Sequence, residues 1–288
     1  MNVKNSDNCI GAEITDFDIA TQMSGEHFSR LAAVFYERSV LCVRDQRLKP
    51  QELLDFAEQF GALDVHFLDH YTLPGFPNIL QVSNIQRDGR DIGFADAGRV
   101  WHSDGSYMQT PVAVSMLYAV EVPEEGGRAL GATQFASAWA AYDGLTEDEK
   151  AQITTLNAVH QVAGRRKSTG TGKKDREQEK AQPEAIHPLA RTHPQTGRKY
   201  LFVSQGECER VIGLDDEQGL SLIERLATQV QRPEYCHRHD WRVGDLLIWD
   251  NQAVQHLATF DYEWPRHRRL MQRLTITEGT QAQVASEV

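Results

Sequence analysis

The sequence predicts a mostly β protein with helices on its flanks. Short apolar runs bounded by turn residues recur along the chain, three segments carry apolar residues at helical spacing, and no internal repeat divides the 288 residues. A chain of this length forms one large domain or two small ones. One domain over 1–288 is the expectation here, because β-rich domains of this size often stay single.

The elements follow in chain order. "SGEHFSRLAAVFYER" is an amphipathic helix with Ser24 as its N-cap. "SVLCVRDQ" is a short buried strand, and "KPQELLDFAEQFGAL" is a second helix ending at Gly61. "NILQVSN" and "AVSMLYAVEV" read as strands, the second running into the glycine-rich turn "PEEGGRALG". Thr146 with Glu149 forms a capping box that starts a short helix. "DDEQGLSLIERLATQVQ" is the third amphipathic helix, and "KYLFVS", "DLLIWD" and "RRLMQRLTIT" return to strand. Residues 163–185 have almost no apolar side chains and read as a long mobile loop, either a lid or a solvated insertion. Its "GTGKK" fails as a phosphate loop, because Lys167 stands where the first glycine belongs.

Composition narrows the function. The net charge of −11 argues against nucleic acid, which needs a basic face to displace counterions. It leaves room for a small anion held by a few buried arginines. There is no apolar run of membrane-spanning length and no signal-peptide layout, and Cys9, Cys42, Cys208 and Cys236 form no CxxC pair. A cytoplasmic protein with reduced thiols, neither disulfide-bonded nor zinc-binding, is the expectation.

"GRVWHSDGSYM" raises the chemical question. On a strand, His102 and Asp104 project to one face and can meet one metal ion. His256, just past the apolar strand "DLLIWD", is the candidate third ligand, and two histidines with one carboxylate make the facial triad of non-haem Fe(II). The plainer alternatives are a surface turn and a partly buried structural histidine. Arg269 and Arg273, four apart, share a strand face and suit carboxylate or sulfonate recognition. The alternative is an edge strand with solvated charge, since Arg266 and Arg268 are close by.

"WHSDGSY", "LYAVEVPEEGG", "TQFASAWAAYDGL", "HPLARTHPQTGRKYLFV", "RHDWRVGDLLIWDNQAVQHLATFDY", "RRLMQR" and the N-terminal "VLCVRDQRLKPQELLDFAEQFGALDVHF" together resemble the taurine dioxygenase/dichlorophenoxyacetate dioxygenase family, in that family's order. The resemblance implies a double-stranded β-helix (jelly-roll) core and oxidation driven by Fe(II), O2 and 2-oxoglutarate. It implies His102, Asp104 and His256 as iron ligands, Arg269 and Thr133 as the cosubstrate-binding pair, and Arg273 as the anchor of an anionic prime substrate. His66 matches a sulfonate-contacting position, with a structural role as its alternative. Family members are often dimers or tetramers.

Three departures go with the resemblance. Ala129 stands at the usual threonine spacing after the glycine pair, Gln272 replaces a usual histidine, and the loop before the arginine pair is longer, which sets Arg268 against Arg269. Asp69 falls near a position that is aromatic in taurine-oxidising members, so taurine itself is disfavoured. Tyr107, Phe202 and Trp249 are candidates for a larger pocket or for core packing. The expected activity is hydroxylation of a small anionic organic substrate with release of succinate and CO2. The alternatives are a biosynthetic oxidase on the same core, a jelly-roll binding protein without catalysis, and a metallohydrolase.

Overall fold

The computed structural model describes residues 1–95, 98–162, 177 and 181–277. Most of the proposed loop at 163–185 lies outside them, and Ala185 begins the strand Ala185–Pro188.

The largest sheet has eight strands in the order Asn2–Asn5, Ala12–Thr15, Val40–Val43, Leu246–Asp250, Val112–Glu121, Leu270–Thr277, Phe76–Ser83 and Thr72–Leu73. Its pairs are antiparallel except Ala12–Thr15 with Val40–Val43, which is parallel. Alternation explains how the sheet builds two cores from short strands. Leu41, Val43, Val114, Met116 and Ile248 face the helices Gly25–Arg38 and Pro50–Ala57, meeting Leu31, Phe35, Leu53 and Phe56. Val40, Cys42, Leu117, Leu247 and Trp249 face the other way, onto Phe135, Trp241 and Val254. With both faces covered, the strands read as unbroken apolar runs such as "VLCV".

The opposing layer is a three-stranded sheet, Cys236–His239, Thr133–Ser137 and Val254–Ala258, so the second core lies between two sheets. A further core packs Leu222, Ile223, Leu226 and Val230 of the helix Asp216–Val230 against Ala141, Leu201 and Val211.

Helix starts follow local chemistry. Ser24 accepts from the His27 amide at 3.2 Å, Asp215 accepts from the Gln218 amide at 2.8 Å, and the Thr146/Glu149 box closes in both directions. The second helix runs from Pro50 to Ala57, then tightens into a 3-10 turn, Glu58–Phe60, before Gly61. Among the described residues, no helix is long and apolar enough to cross a membrane.

Candidate active site

His102 and Asp104 do not share a strand. His102 makes an isolated β-bridge to His256, with its amide donating to the His256 carbonyl at 3.2 Å and the reverse bond at 2.9 Å. The bridge sets the two imidazoles side by side, with centroids 4.1 Å apart and planes tilted by 43°. Asp104 reaches them from a turn closed by Gly105 at φ +65°, where a Cβ would come within 2.8 Å of Val112. His256 itself lies within the strand Val254–Ala258, opposite Phe135.

The three side chains are buried and offer ligand atoms that all lie within 4.8 Å of one another. Asp104 Oδ1 is 3.5 Å from His102 Nε2, 3.8 Å from His256 Nε2 and 2.8 Å from Arg273 Nη2. The other carboxylate oxygen is braced, because Ser115 Oγ donates to Oδ2 at 2.7 Å and Asn251 Nδ2 donates to Ser115 Oγ at 2.8 Å. Asn251 Oδ1 in turn accepts from Trp249 Nε1 at 3.0 Å and from the Asp104 amide at 3.3 Å. Sequence reasoning missed Ser115 and Asn251. The only available signal was "WDN", five residues before His256, and nothing pointed to Ser115.

Protonation fits metal binding. His102 Nδ1 bonds to the Val100 carbonyl at 2.7 Å, which assigns its proton there and leaves a lone pair on Nε2. Burial, with the neighbouring His102, holds His256 well below the usual imidazole range, so it is neutral. For Asp104, burial alone would raise the carboxyl, but the Arg273 charge 2.8 Å away overcomes it and holds it well below the usual range. Two imidazoles and a carboxylate, buried and converging, are a donor set that fits Fe(II).

A cavity on one side of the trio is lined by Thr133, Arg269, Arg273, Leu117, Trp249 and Val82. Arg269 is 4% exposed with Nε buried and unpartnered, and its backbone is pinned by Asn84 and Ser83. Arg268 points elsewhere, its fork closed on Glu121 at 2.8 and 3.1 Å. Thr133 opens its strand in this cavity, and its hydroxyl accepts from Trp241 Nε1 at 3.1 Å. Ala129 lies on the small hairpin formed with Glu124–Glu125, away from this cavity. Gly131 (φ +72°) lets the chain pass close to Tyr262 and Arg269, where a Cβ would meet Tyr262 at 2.8 Å and Arg269 Nε at 3.2 Å.

On the other side, a cavity is lined by His66, Phe67, Phe94, Tyr107 and Arg273, and also by Asp64 and Glu207. His66 Nδ1 accepts from the Leu68 amide at 3.1 Å. Burial and the Arg273 charge push its protonation down to about 3. Asp69 does not line this cavity. It is exposed in the 3-10 turn Asp69–Tyr71, so its charge gives no ground for excluding taurine. Tyr107 and Trp249 line the two cavities, whereas Phe202 stacks on His160 in the core. Gln272 sits in the strand Leu270–Thr277 with Oε1 buried and unpartnered, and nothing in the structure explains it.

A second trio, Cys42, His239 and Asp245, is equally buried and equally close-set. All four cysteines are free.

The family described as "Taurine catabolism dioxygenase TauD, TfdA family" matches residues 2–275. An alpha-ketoglutarate-dependent 2,4-dichlorophenoxyacetate dioxygenase of Cupriavidus pinatubonensis is 32% identical over 93% of this chain and 95% of its own length. A pentalenolactone F synthase of Streptomyces arenae is 30% identical over 92% and 91%. Among solved structures, AAD-2 in complex with Mn(II) and N-oxalylglycine superposes with a TM-score of 0.79 at 25% identity, covering 98% of both chains. A taurine dioxygenase from Burkholderia xenovorans gives the same TM-score at 25% identity, covering 96% of this chain and 89% of its own. Fold, family match and relatives agree: the chain has a jelly-roll core and belongs to the TauD, TfdA family, whose members are Fe(II)- and 2-oxoglutarate-dependent oxidoreductases.

Proposed function

We propose that this chain, working as one domain, hydroxylates a small anionic organic substrate of the aryloxy- or alkyl-carboxylate or sulfonate class. One O2 and one 2-oxoglutarate are consumed, one oxygen atom enters a substrate C–H bond, the other enters succinate, and CO2 leaves. His102, Asp104 and His256 would hold Fe(II), Arg269 and Thr133 would hold 2-oxoglutarate, and Arg273 with His66 would hold the anionic group. The observation that carries the reading is the meeting of two cavities at one buried trio, with Arg273 on the wall of both and Arg269 on the wall of one.

Bound there, Fe(II) supplies the oxygen activation that couples oxidative decarboxylation to C–H oxidation. The protein supplies position and environment. Two neutral imidazoles and one carboxylate contribute a single negative charge, so the site keeps its attraction for a dianionic 2-oxo acid. Arg269 presents a planar fork to the distal carboxylate, with no competing ion pair on the outer Glu121, which Arg268 occupies. Because Thr133 Oγ1 accepts from Trp241, its own O–H is left to donate to the cosubstrate. His66, neutral with Nδ1 accepting, carries its proton on Nε2 and donates to an anion without adding charge. Arg273 supplies the charge. Phe67, Phe94 and Tyr107 exclude water, which strengthens each polar contact.

The 2,4-dichlorophenoxyacetate relative supports an anionic substrate, and the pentalenolactone F synthase relative supports a second reading, biosynthetic desaturation or ring closure on the same core. Reduced thiols favour the cytoplasm, and the family resemblance favours a dimer or tetramer. The test is an anaerobic titration with Fe(II) and 2-oxoglutarate, watched for the weak visible band of the chelate, followed by succinate release in air. No band with Fe(II) bound rejects the site. Product mass separates gain of one oxygen from loss of two hydrogens.

A further inference from the structure

The cavity that bears Arg269 and Thr133 is backed by an aromatic stack. The Arg269 guanidinium carbon lies over the Tyr262 ring, 5.7 Å from its centroid. Phe260 stacks on Tyr262 with centroids 5.9 Å apart and planes 21° apart, and Arg99 lies over Phe260 at 3.9 Å. Arg99 is in the segment that leads to His102, so the stack runs from the ligand segment to the arginine.

The chain that carries Tyr262 is also tied to the chain that leads into Thr133. Asp261 Oδ1 accepts from the Gly131 amide at 2.6 Å. The Thr259 amide and hydroxyl both donate to the Ala132 carbonyl, at 2.8 and 3.0 Å. Gly131 leaves room for the ring, since a Cβ there would meet Tyr262 at 2.8 Å.

An aromatic face attracts a guanidinium within about 6 Å of its centroid. A guanidinium held by its face keeps its edge N–H donors for a carboxylate. Arg269 fits this description, with Nε buried and unpartnered. A long side chain fixed beforehand also loses less rotamer freedom when its ligand arrives.

We propose that Tyr262 is a positioning residue for 2-oxoglutarate, its ring fixing the Arg269 guanidinium so that the N–H edge meets the distal carboxylate. This rests on the reading of Arg269 as the cosubstrate arginine.

The test is an anaerobic titration of Fe(II)-loaded protein with 2-oxoglutarate, followed by the visible band of the chelate. Tyr262→Leu weakens 2-oxoglutarate by about fivefold or more, the loss expected of one partly desolvated cation–π contact. Tyr262→Phe keeps the ring and stays within about twofold of the wild type. Fe(II) affinity stays within about twofold in both, since the ring acts on the arginine and not on the ligands. In an Arg269→Ala background, Tyr262→Leu costs less than about twofold, because the group it positions is gone. The urea midpoint of each metal-free variant checks its fold. An unchanged affinity in Tyr262→Leu, an equal loss in Tyr262→Phe, a loss of Fe(II) affinity, or a full loss that persists without Arg269 overturns the proposal. No band in the wild type with Fe(II) bound rejects the cosubstrate site and this proposal together. A wild-type band without the expected pattern among the variants rejects this proposal alone.

Discussion

His102, Asp104 and His256 form one buried trio of potential metal ligands, and Cys42, His239 and Asp245 form another. Residue type and distance do not separate them, but their surroundings do. Both trios border a cavity and both neighbouring arginines have Nε unpartnered, but Arg273, beside the first, makes one ion pair among the described residues, whereas Arg44, beside the second, makes two. In the second, Arg44 Nη1 is 2.5 Å from Asp245 Oδ2, which also accepts from the Arg242 amide at 2.7 Å. Arg44 reaches on to Glu13 and the Asp240 carbonyl, tying the N-terminal strands to the turn before Leu246. Burial, then the Asp245 charge, pushes the Cys42 thiol well up, so it stays protonated and a poor ligand. Similar ingredients thus stand in different settings: beside the first trio the arginine makes a single ion pair, and beside the second it ties two carboxylates and a carbonyl together.

The largest expected effect tests that contrast directly. His102→Ala eliminates bound Fe(II) and lowers turnover by more than about a hundredfold, beyond what outer partners of a metal site cost. Cys42→Ala leaves one metal per chain. Metal analysis of both variants checks this, and a second equivalent lost with Cys42 would break the comparison.

Arg44→Met should cost about 3–5 kcal/mol of stability, because it strands the buried Asp245 charge. Urea denaturation measures the loss, and turnover per folded molecule should persist. A stable variant would remove Arg44 from its structural role.

Arg269→Ala should raise the 2-oxoglutarate requirement by about ten- to a hundredfold, from about 1.5–3 kcal/mol of charged hydrogen bonding. Arg268→Ala, which loses only an exposed pair, should change it by less than about twofold. The reverse pattern would put the arginine assignment one residue off.

The last test concerns pH. Burial, and then His239, pushes the protonation of His237 down to about 4 from an ordinary 6.5. The unfolded chain therefore takes up that proton first as pH falls. Stability present above about 6.5 is lost toward about 4, by at most about 1.4 kcal/mol per pH unit. His237→Gln should flatten that slope in denaturation series at pH 7 and pH 5. An unchanged slope would assign the loss to other groups.

Some of this was legible in the sequence because the forces are local. Ser24, Asp215 and the Thr146/Glu149 box act on amides within a turn, and the facing of successive side chains of "VLCV" and "LLIWD" to opposite sides follows from the pleat alone. The strongest single sign of the site, His and Asp two apart, was read from spacing, but for the wrong reason. The pair converges through a bridge and a glycine-closed turn, not along a strand. Arg269 and Arg268 are adjacent in sequence, and only the tertiary fold sends one inward and closes the other on Glu121, 147 residues away. Tertiary structure likewise braces Asp104 through Ser115 and Asn251, which are 136 residues apart. It brings Glu207 to Ser106 across 101 residues and leaves Asp69 outside the cavity. The sequence by itself determined helices, caps, the short apolar runs and the candidate ligand types, since each depends on neighbours a few residues away. Which charges meet, which are locked and which line a cavity was decided by packing two sheets together, because that packing alone sets distances between residues far apart in the chain.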